Sequence, residues 1–289
     1  MKLKQVAQMR SGQDGAFFGD FMFRFDARGK CTVYDARVLD TADGAIAELP
    51  VIARFSMNAG DAVIPHCNAV AFGCEYAAEG DEFPLLYANV YNNCAKEENR
   101  REGTCCVYRL QRSGTEFSIT LVQIIRVGFV HTPLWKSDGD IQDVRPYGNF
   151  VIDREKRLLH AFTMRDAERV TRYFTFLLPR LLEGEVDPET GVRTVVLTEA
   201  DLLDSFDTEY HRFIQGACCE GGRIYSSEGF NEKVHPSLRV ISPAEKKQLL
   251  HVDLTTLGEV GEAEWIDFRG GRCYYSDGDG KVFLVDFEM

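Results

Sequence analysis

Residues 211–230, HRFIQGACCEGGRIYSSEGF, read as two short strands joined by a Glu-Gly-Gly turn. A polar Gln-Gly pair stands at the front of the first strand, and aromatic and polar residues fill the second. Apolar runs bounded by Gly-rich turns are typical of β-hairpins. A recurrence of this unit would decide the architecture, because internal repeats define propellers and other repetitive folds.

Four other places in the chain repeat the pattern. In each, a polar residue precedes an apolar run, a turn rich in Gly, Asp or Glu follows, and further strands come after it. These units begin near residues 13 (QDGAFFGDFMFRFDARGKCTVYDA), 66 (HCNAVAFG), 147 (YGNFVIDREKRLLHAFTMRDAERVTRYFTF) and 263 (AEWIDFRGGRCYYSDGDGKVFLVDF). Fourth strands are predicted from Leu49, Phe117, Thr194 and Lys247. The last unit ends after three strands, so residues 1–10, with the alternating stretch KLKQVAQM, are expected to complete it.

The repeat predicts one all-β domain over residues 1–289, a β-propeller with five blades of four antiparallel strands. Its N-terminal strand would close the ring and so remove the open sheet edge. The units are unevenly spaced, which predicts inserted loops in the second and third. A large β-sandwich or a two-domain β protein would show similar short strands and Gly-rich turns, and both stay open as alternatives.

Composition limits the classes of partner. The chain has 33 basic and 45 acidic residues and a formal net charge of −12, which disfavours nucleic acid and anionic membranes. It has no signal-peptide-like or membrane-spanning apolar run, so we expect a cytoplasmic protein.

Nine cysteines without a C-x-x-C pair indicate reduced, buried side chains, and we expect no metal site and no cofactor. The two SDGD stretches, 137–140 and 276–279, are read as hairpin turns in preference to calcium loops.

The polar residue at the start of each unit has a specific place in a propeller. The first strand of each blade lies next to the axis, so these residues are expected to surround one end of the central channel: Asp14, Asn68, Asn149, Gln215 and Glu264. The period of two along a strand adds further candidates at the same mouth: His66, Arg145, Tyr147, His211 and Glu262. Polar and aromatic groups that converge on a funnel predict the binding of a polar small molecule, such as a sugar or a related metabolite.

Three other interpretations remain. The polar ring is equally suited to holding ordered water and satisfying inner strand ends, with no ligand. An enzyme, a glycosidase-like hydrolase or an acyl-transfer enzyme, would use Glu264 and Asp14 as acid and base. A protein-interaction scaffold is the third, so a protein partner stays possible.

Part of the chain resembles a known family. The stretch FIQGACCEGGRIYSSEGF (213–230), with SLRVI and HVDL after it, resembles the F-x-Q-G-L…G-x-L-Y-E-S-T-G…S-x-V-R-x-x-D blade of the five-bladed glutamine cyclotransferases of plants and bacteria. Residues 263–286 are similar to the Trp-containing blades of that family, and together the two stretches cover about a quarter of the chain. Ser226 stands at the place of the family's catalytic glutamate, with Glu228 two positions away on the same strand face. The match also falls in the fourth unit and not near the front, so the resemblance implies the fold more than the chemistry.

A second resemblance covers two short motifs. Residues 66–73 and 81–87 resemble the H-x-N-x-x-x-F-G and D-E-F-P-L-L-Y motifs of uncharacterised bacterial propeller proteins. This resemblance implies a fold and no activity.

Overall fold

The computed structural model describes residues 1–41, 44–57, 66–90, 102–137, 149–188, 190–211, 213–230 and 234–287. The chain starts with strand β1 (Lys2–Gln8) and continues into a four-stranded antiparallel sheet, blade 1. Blade 1 contains β2 (Gly15–Phe18), β3 (Phe21–Phe25), β4 (Lys30–Asp35) and β5 (Val51–Ser56), in that order. One short helical turn, α1 (Val38–Thr41), connects β4 to β5.

Blades 2 and 3 are linked by an insertion. Blade 2 contains β6 (Val70–Phe72), β7 (Leu86–Val90), β8 (Thr104–Ser113) and β9 (Glu116–Val127). Blade 3 begins with β10 (Asn149–Asp153), β11 (Leu158–Arg165) and β12 (Val170–Leu177). The chain then forms β13 (Glu185–Val186), β14 (Arg193–Leu197) and a 3-10 turn (Glu199–Asp201), and returns to blade 3 as its fourth strand, β15 (Leu202–Glu209).

Blades 4 and 5 have the simple four-stranded form. Blade 4 contains β16 (Ile214–Glu220), β17 (Arg223–Phe230), β18 (Val234–Ser242) and β19 (Lys247–Asp253), followed by a 3-10 turn (Leu254–Leu257). Blade 5 contains β20 (Ala263–Arg269), β21 (Arg272–Asp277), β22 (Lys281–Asp286) and, as its outer strand, β1. β1 pairs antiparallel with β22 from Lys2↔Asp286 to Gln8↔Lys281, which confirms the predicted closure of the ring by the N-terminal strand.

The five first strands surround an axis. β2 contacts β6, β6 contacts β10, β10 contacts β16, β16 contacts β20, and β20 contacts β2 again. Side chains buried between the blades form five apolar clusters in the described ranges, one at each junction between neighbouring sheets. The predicted five-bladed β-propeller is therefore confirmed.

The period of two explains how one strand serves two junctions. On β20, Trp265 packs between blades 5 and 1, while its neighbour Ile266 packs between blades 4 and 5. On β8, Cys105 and Cys106 likewise enter different clusters. Adjacent residues in a strand point to opposite faces, so alternate apolar residues cover both sides of a blade. None of the eight cysteines that the structure describes forms a disulfide bond.

One predicted strand was wrong. The predicted fourth strands from Leu49, Phe117 and Lys247 correspond to β5, β9 and β19, but the stretch from Thr194 is not a strand of blade 3. It forms β14, which pairs in parallel with β9 and thus extends blade 2. The buried Gln123 of β9 holds this insertion by donating its side-chain amide to the carbonyl groups of Arg180, Leu181 and Glu183. These partners lie more than 50 residues away in sequence, so local strand propensity could not assign the pairing.

Candidate functional site

Two β-bulges set the direction of the polar residues that lead blades 4 and 5. On β16, Ile214 pairs with Glu228 and Gly216 with Ser227, so Gln215 lies between two consecutive pairs. On β20, Ala263 pairs with Asp277 and Trp265 with Ser276, which leaves Glu264 in the same position. A bulge inserts one extra residue and re-aims its side chain. Gln215 and Glu264 therefore occupy equivalent places at the inner edges of neighbouring blades.

Gln215 connects three blades through hydrogen bonds. The side-chain amide of Asn68 donates to Gln215 Oε1 over 3.1 Å. Gln215 Nε2 in turn donates to the carboxylate of Glu262, which is only partly buried. Burial raises the pKa of Glu262, and the hydrogen bond from Gln215 opposes that shift. This Asn68–Gln215–Glu262 chain runs from a buried amide to a carboxylate at the protein surface, and we call its location the axial mouth.

Asn149 extends the buried polar network toward blade 3. Asn89 Nδ2 donates to Asn149 Oδ1 over 2.7 Å, and Asn149 Nδ2 donates to the carbonyl group of Ile214 over 3.3 Å. Asn89 Oδ1 accepts the backbone amide of Ala69. Strand ends near an axis have backbone groups that no sheet pairs, and these amides satisfy them. The network therefore fixes the relative positions of the inner strands.

Asp14 joins blade 1 to the first strand of blade 2. Its carboxylate is fully buried and accepts the backbone amide of Val70 over 2.8 Å. Burial raises the pKa of Asp14 well above the ordinary value, although hydrogen bonds from Val70 and Gly15 and the charge of Arg24 oppose the shift. One oxygen, Oδ1, has no hydrogen-bond partner within the described ranges.

A tight approach between inner strands supports the placement of Asp14. A Cβ atom at Gly216 would lie 2.6 Å from the carbonyl oxygen of Glu264 and 2.9 Å from Asp14 Oδ1. We expect Gly216→Ala to lower the free energy of unfolding by about 1 to 3 kcal/mol, because backbone must move to relieve the overlap. Chemical denaturation measures the change. Gly44→Ala is the matched control, since a Cβ there meets nothing within 4 Å; equal stability of the two variants would contradict the packing.

Arg24 is the cation at the centre of this region. It is 2% exposed and donates from Nη2 to the carbonyl groups of Gly12 (2.8 Å) and Asp277 (3.4 Å). Burial lowers its pKa, while the negative charges of Glu264, Asp14 and Asp277 raise it. An arginine stays protonated despite such shifts. A single buried guanidinium therefore faces three buried carboxyl groups.

Glu264 has the most clearly perturbed carboxyl group at the mouth. It is 4% exposed, and Gln13 Nε2 donates to its Oε1 over 3.1 Å. Burial, followed by the negative charge of Glu262, raises the pKa of Glu264 to about 8. At neutral pH the group is therefore protonated for most of the time and acts as a hydrogen-bond donor. Its Oε2 atom has no hydrogen-bond partner in the described part of the chain.

The remaining predicted site residues lie in different places. Burial lowers the pKa of His66, which directly precedes Cys67 and Asn68, to about 4. His211 is fully buried among the outer strands of blade 3, where its backbone amide donates to Thr171 Oγ1 and its ring lies near Tyr173 and Thr208. His211 therefore does not lie at the axial mouth, where the sequence predicts it. Arg145 and Tyr147 lie outside the described residues.

Glu228, which the cyclotransferase resemblance singled out, is part of a buried ion pair. Arg239 Nε donates to its Oε1 over 2.7 Å, and the neighbouring Ser226 is fully buried. The carboxylate lies on β17 and the guanidinium on β18, so the ion pair joins two neighbouring strands within blade 4. This arrangement favours a structural role for the position.

Sequence reasoning missed four members of the network: Gln13, Arg24, Asn89 and Asp277. Arg24 had a signal, because a charged residue interrupts the aromatic strand FMFRF at 21–25. Asp277 lies in the SDGD turn that the sequence predicts, and its Oδ1 accepts the amide of Lys281 in the β21–β22 turn. Its second contact, the approach to Arg24 from another blade, has no local sequence signal.

Two general properties of the described residues are relevant to function. No group of three or more His, Cys, Asp or Glu side chains there is arranged to hold a metal ion. No helix in the described ranges is long and apolar enough to cross a membrane.

The strand pairing defines the protein as a five-bladed β-propeller. No protein-family model and no curated protein matches the sequence. Among solved structures, the glutaminyl cyclase of Myxococcus xanthus is similar over 99% of this chain and 96% of its own, at 12% identity and a TM-score of 0.48. BamB from Moraxella catarrhalis is similar over 98% of this chain and 62% of its own, at 10% identity and a TM-score of 0.36. The computationally designed protein Ika8 is similar over 97% and 99%, at 9% identity and a TM-score of 0.37.

Proposed function

We propose that the protein binds an uncharged polar small molecule, sugar-like or a related metabolite, at the axial mouth. The observation that supports this most is the pair of buried oxygens, Asn68 Oδ1 and Glu264 Oε2, that have no partner among the described residues. Unpaired buried polar atoms are costly, so they are expected to meet a ligand or water. Asn68 is joined to the partly exposed Glu262 through Gln215, and the negative charge of Glu262 acts on Glu264.

The chemistry of the mouth favours a polyhydroxylated ligand. A protonated Glu264 donates a hydrogen bond, the amides of Asn68 and Gln215 both donate and accept, and Glu262 accepts. Each hydroxyl group of a sugar also donates and accepts, so it matches such a mixed set. A strongly anionic ligand would meet Glu262 and buried carboxyl groups, and the mouth disfavours it.

A panel of ligands tests the proposal by thermal shift and calorimetry. It contains monosaccharides, disaccharides, sugar acids and peptides with an N-terminal glutamine. A ligand at 100 times its dissociation constant stabilises the folded state by about 2.7 kcal/mol, which moves the melting temperature measurably. We expect a hit among the neutral sugars, and a loss of affinity of about tenfold in Gln215→Ala and in Asn149→Ala, since buried hydrogen-bonding groups are then lost or left unpaired.

Matched controls separate the mouth from the rest of the surface. Gln111→Ala and Glu116→Gln change exposed residues of blade 2 and are expected to leave affinity unchanged. A hit that survives Gln215→Ala, Asn149→Ala and Glu262→Gln would contradict the axial site. The absence of any hit would contradict the proposal and favour a protein partner.

An enzyme is the second candidate, on one observation. A carboxyl group with a pKa of about 8 is a general acid at neutral pH, and Glu264 has that property. Asp14 is a poor choice of base, because it is fully buried and one oxygen is occupied by the amide of Val70. Glu262, two residues from Glu264, is the more accessible carboxylate. Product analysis on every hit of the panel decides between binding alone and turnover.

A further inference from the structure

A cavity opens on blade 1, and Arg24, which faces the carboxyl groups near the axial mouth, forms part of its wall. Its volume is about 390 Å³, and its walls come from β3, β4, β5 and the two residues that follow Met9. Four of the lining residues are basic: Arg10, Arg24, Lys30 and Arg54. This concentration is unusual in a chain with a net charge of −12.

Strand register places these cations on one face of the blade. Thr32 of β4 pairs with Arg24 of β3 on one side and with Arg54 of β5 on the other. Lys30 and Tyr34 lie two residues before and after Thr32, so their side chains leave the same face. Two hydroxyl groups and three cations therefore share one surface of the sheet.

Tyr34 is the point on which the arginines converge. Its hydroxyl oxygen accepts the backbone amide of Arg10 over 3.0 Å, so its own proton remains available to donate. Burial raises the pKa of Tyr34, and the positive charges of Arg24, Arg10 and Arg54 oppose that shift. All three guanidinium groups thus act on the same hydroxyl group.

The positive charge of the cavity is poorly compensated. Asp26 is the acidic lining residue, and its Oδ1 accepts the backbone amides of Arg28 and Lys30. Within the described ranges, Arg10, Lys30 and Arg54 form no ion pair, and Nε and Nη1 of the buried Arg24 have no hydrogen-bond partner. Arg24 lies beneath the cavity and already faces the carboxyl groups of Glu264, Asp14 and Asp277, so the uncompensated charge is that of the three side chains at the rim.

We propose that this cavity binds the phosphate group of a small phosphate monoester. Arg10 and Arg54 hold the phosphate oxygens, the Tyr34 hydroxyl donates to one of them, and Lys30 contributes at the rim. A guanidinium group can donate two parallel hydrogen bonds to phosphate oxygens. The cavity has several cations, and its acidic lining residue, Asp26, already accepts two backbone amides, so it suits a doubly charged phosphate better than a singly charged carboxylate ligand. The proposal does not depend on a ligand at the axial mouth.

Calorimetric titration tests this site. The titrants are inorganic phosphate and glucose 6-phosphate, and sodium chloride keeps the ionic strength constant. We expect the double variant Arg10→Gln/Arg54→Gln to raise both dissociation constants by about tenfold or more. Tyr34→Phe should raise them by about threefold to tenfold. Arg10 and Arg54 are exposed, so these variants should fold. Arg37→Gln is the matched control: it removes an exposed arginine of the same blade that pairs with Asp35, and should leave binding unchanged.

Three results would overturn the proposal. The first is no binding of either phosphate at millimolar concentration. The second is equal weakening by Arg37→Gln and by the Arg10/Arg54 pair, which would show only a general effect of net charge. The third is acetate binding as tightly as phosphate, which would mean that the cavity accepts any anion. Glucose, which lacks the phosphate, is titrated separately. If it binds and Arg54→Gln does not change its affinity, that binding belongs to the axial mouth and not to this cavity.

Discussion

Replacing Arg24 by methionine is expected to cause the largest loss of stability of any single substitution considered for this protein. The variant removes the buried cation and leaves the carboxyl groups of Asp14, Glu264 and Asp277 near one another without it. Removing one partner of a buried ion pair typically lowers the free energy of unfolding by about 3 to 5 kcal/mol. Urea denaturation of Arg24→Met at pH 8 measures this change.

The pH dependence of that loss identifies its cause. If like charge drives the destabilisation, the loss of stability must be smaller at pH 5.5, where Glu264, with a pKa of about 8, is protonated. It must also be smaller in the double variant Arg24→Met with Glu264→Gln. Arg272→Met, which alters an exposed arginine of blade 5, controls for the loss of an arginine as such. A cost that is the same at both pH values would instead point to lost packing and to the lost hydrogen bond to Gly12.

The sequence was sufficient for the architecture because each blade is local. The strands of a blade follow one another along the chain, so alternation and Gly-rich turns predict most pairings, and the open edge of the last unit predicts the pairing of β1 with β22. The exception is β14, which joins β9 of the preceding blade in parallel. That pairing depends on the free outer edge of blade 2 and on the contacts of Gln123, which no local pattern encodes.

The candidate site was predictable only in part. The repeated polar residue at the start of each unit correctly indicated that Asn68 and Gln215 come together, because first strands share one end of the axis. The bulges at Gln215 and Glu264 depend on hairpin register and have no signal in composition. The raised pKa of Glu264 depends on burial by other blades, so it becomes apparent only in three dimensions. The role of these residues as ligand contacts stays a prediction.

The second large effect concerns Glu264 and pH. Its pKa is about 8 in the folded protein, against the ordinary value of 4.5. Between pH 4.5 and 8 the unfolded chain has lost a proton that the folded chain keeps, so the free energy of unfolding falls as pH rises. At 1.36 kcal/mol per pH unit, the full contribution is on the order of 5 kcal/mol, and it is complete above pH 8. Burial also raises the pKa of Asp14, and it raises the pKa of Asp267 to about 6, so both groups act in the same direction.

Glu264→Gln isolates this contribution, because it keeps the shape and the hydrogen bond from Gln13 but cannot ionise. We expect the variant to match the wild type near pH 5 and to exceed its melting temperature at pH 9 by about 8 to 10 °C, at about 2 °C per kcal/mol. Glu116→Gln, an exposed glutamate, should follow the wild-type profile throughout. Identical profiles for Glu264→Gln and the wild type would mean that Glu264 titrates as an ordinary glutamate.

The same variant links stability to binding at the axial mouth. In the wild type, affinity for a neutral ligand that accepts a hydrogen bond from Glu264 should fall as pH rises through 8, because ionisation removes the donor. The amide of Glu264→Gln remains a donor at every pH, so its affinity should stay level over that range. A parallel decline in both proteins would remove Glu264 from the set of ligand contacts and leave it a structural role beside Arg24.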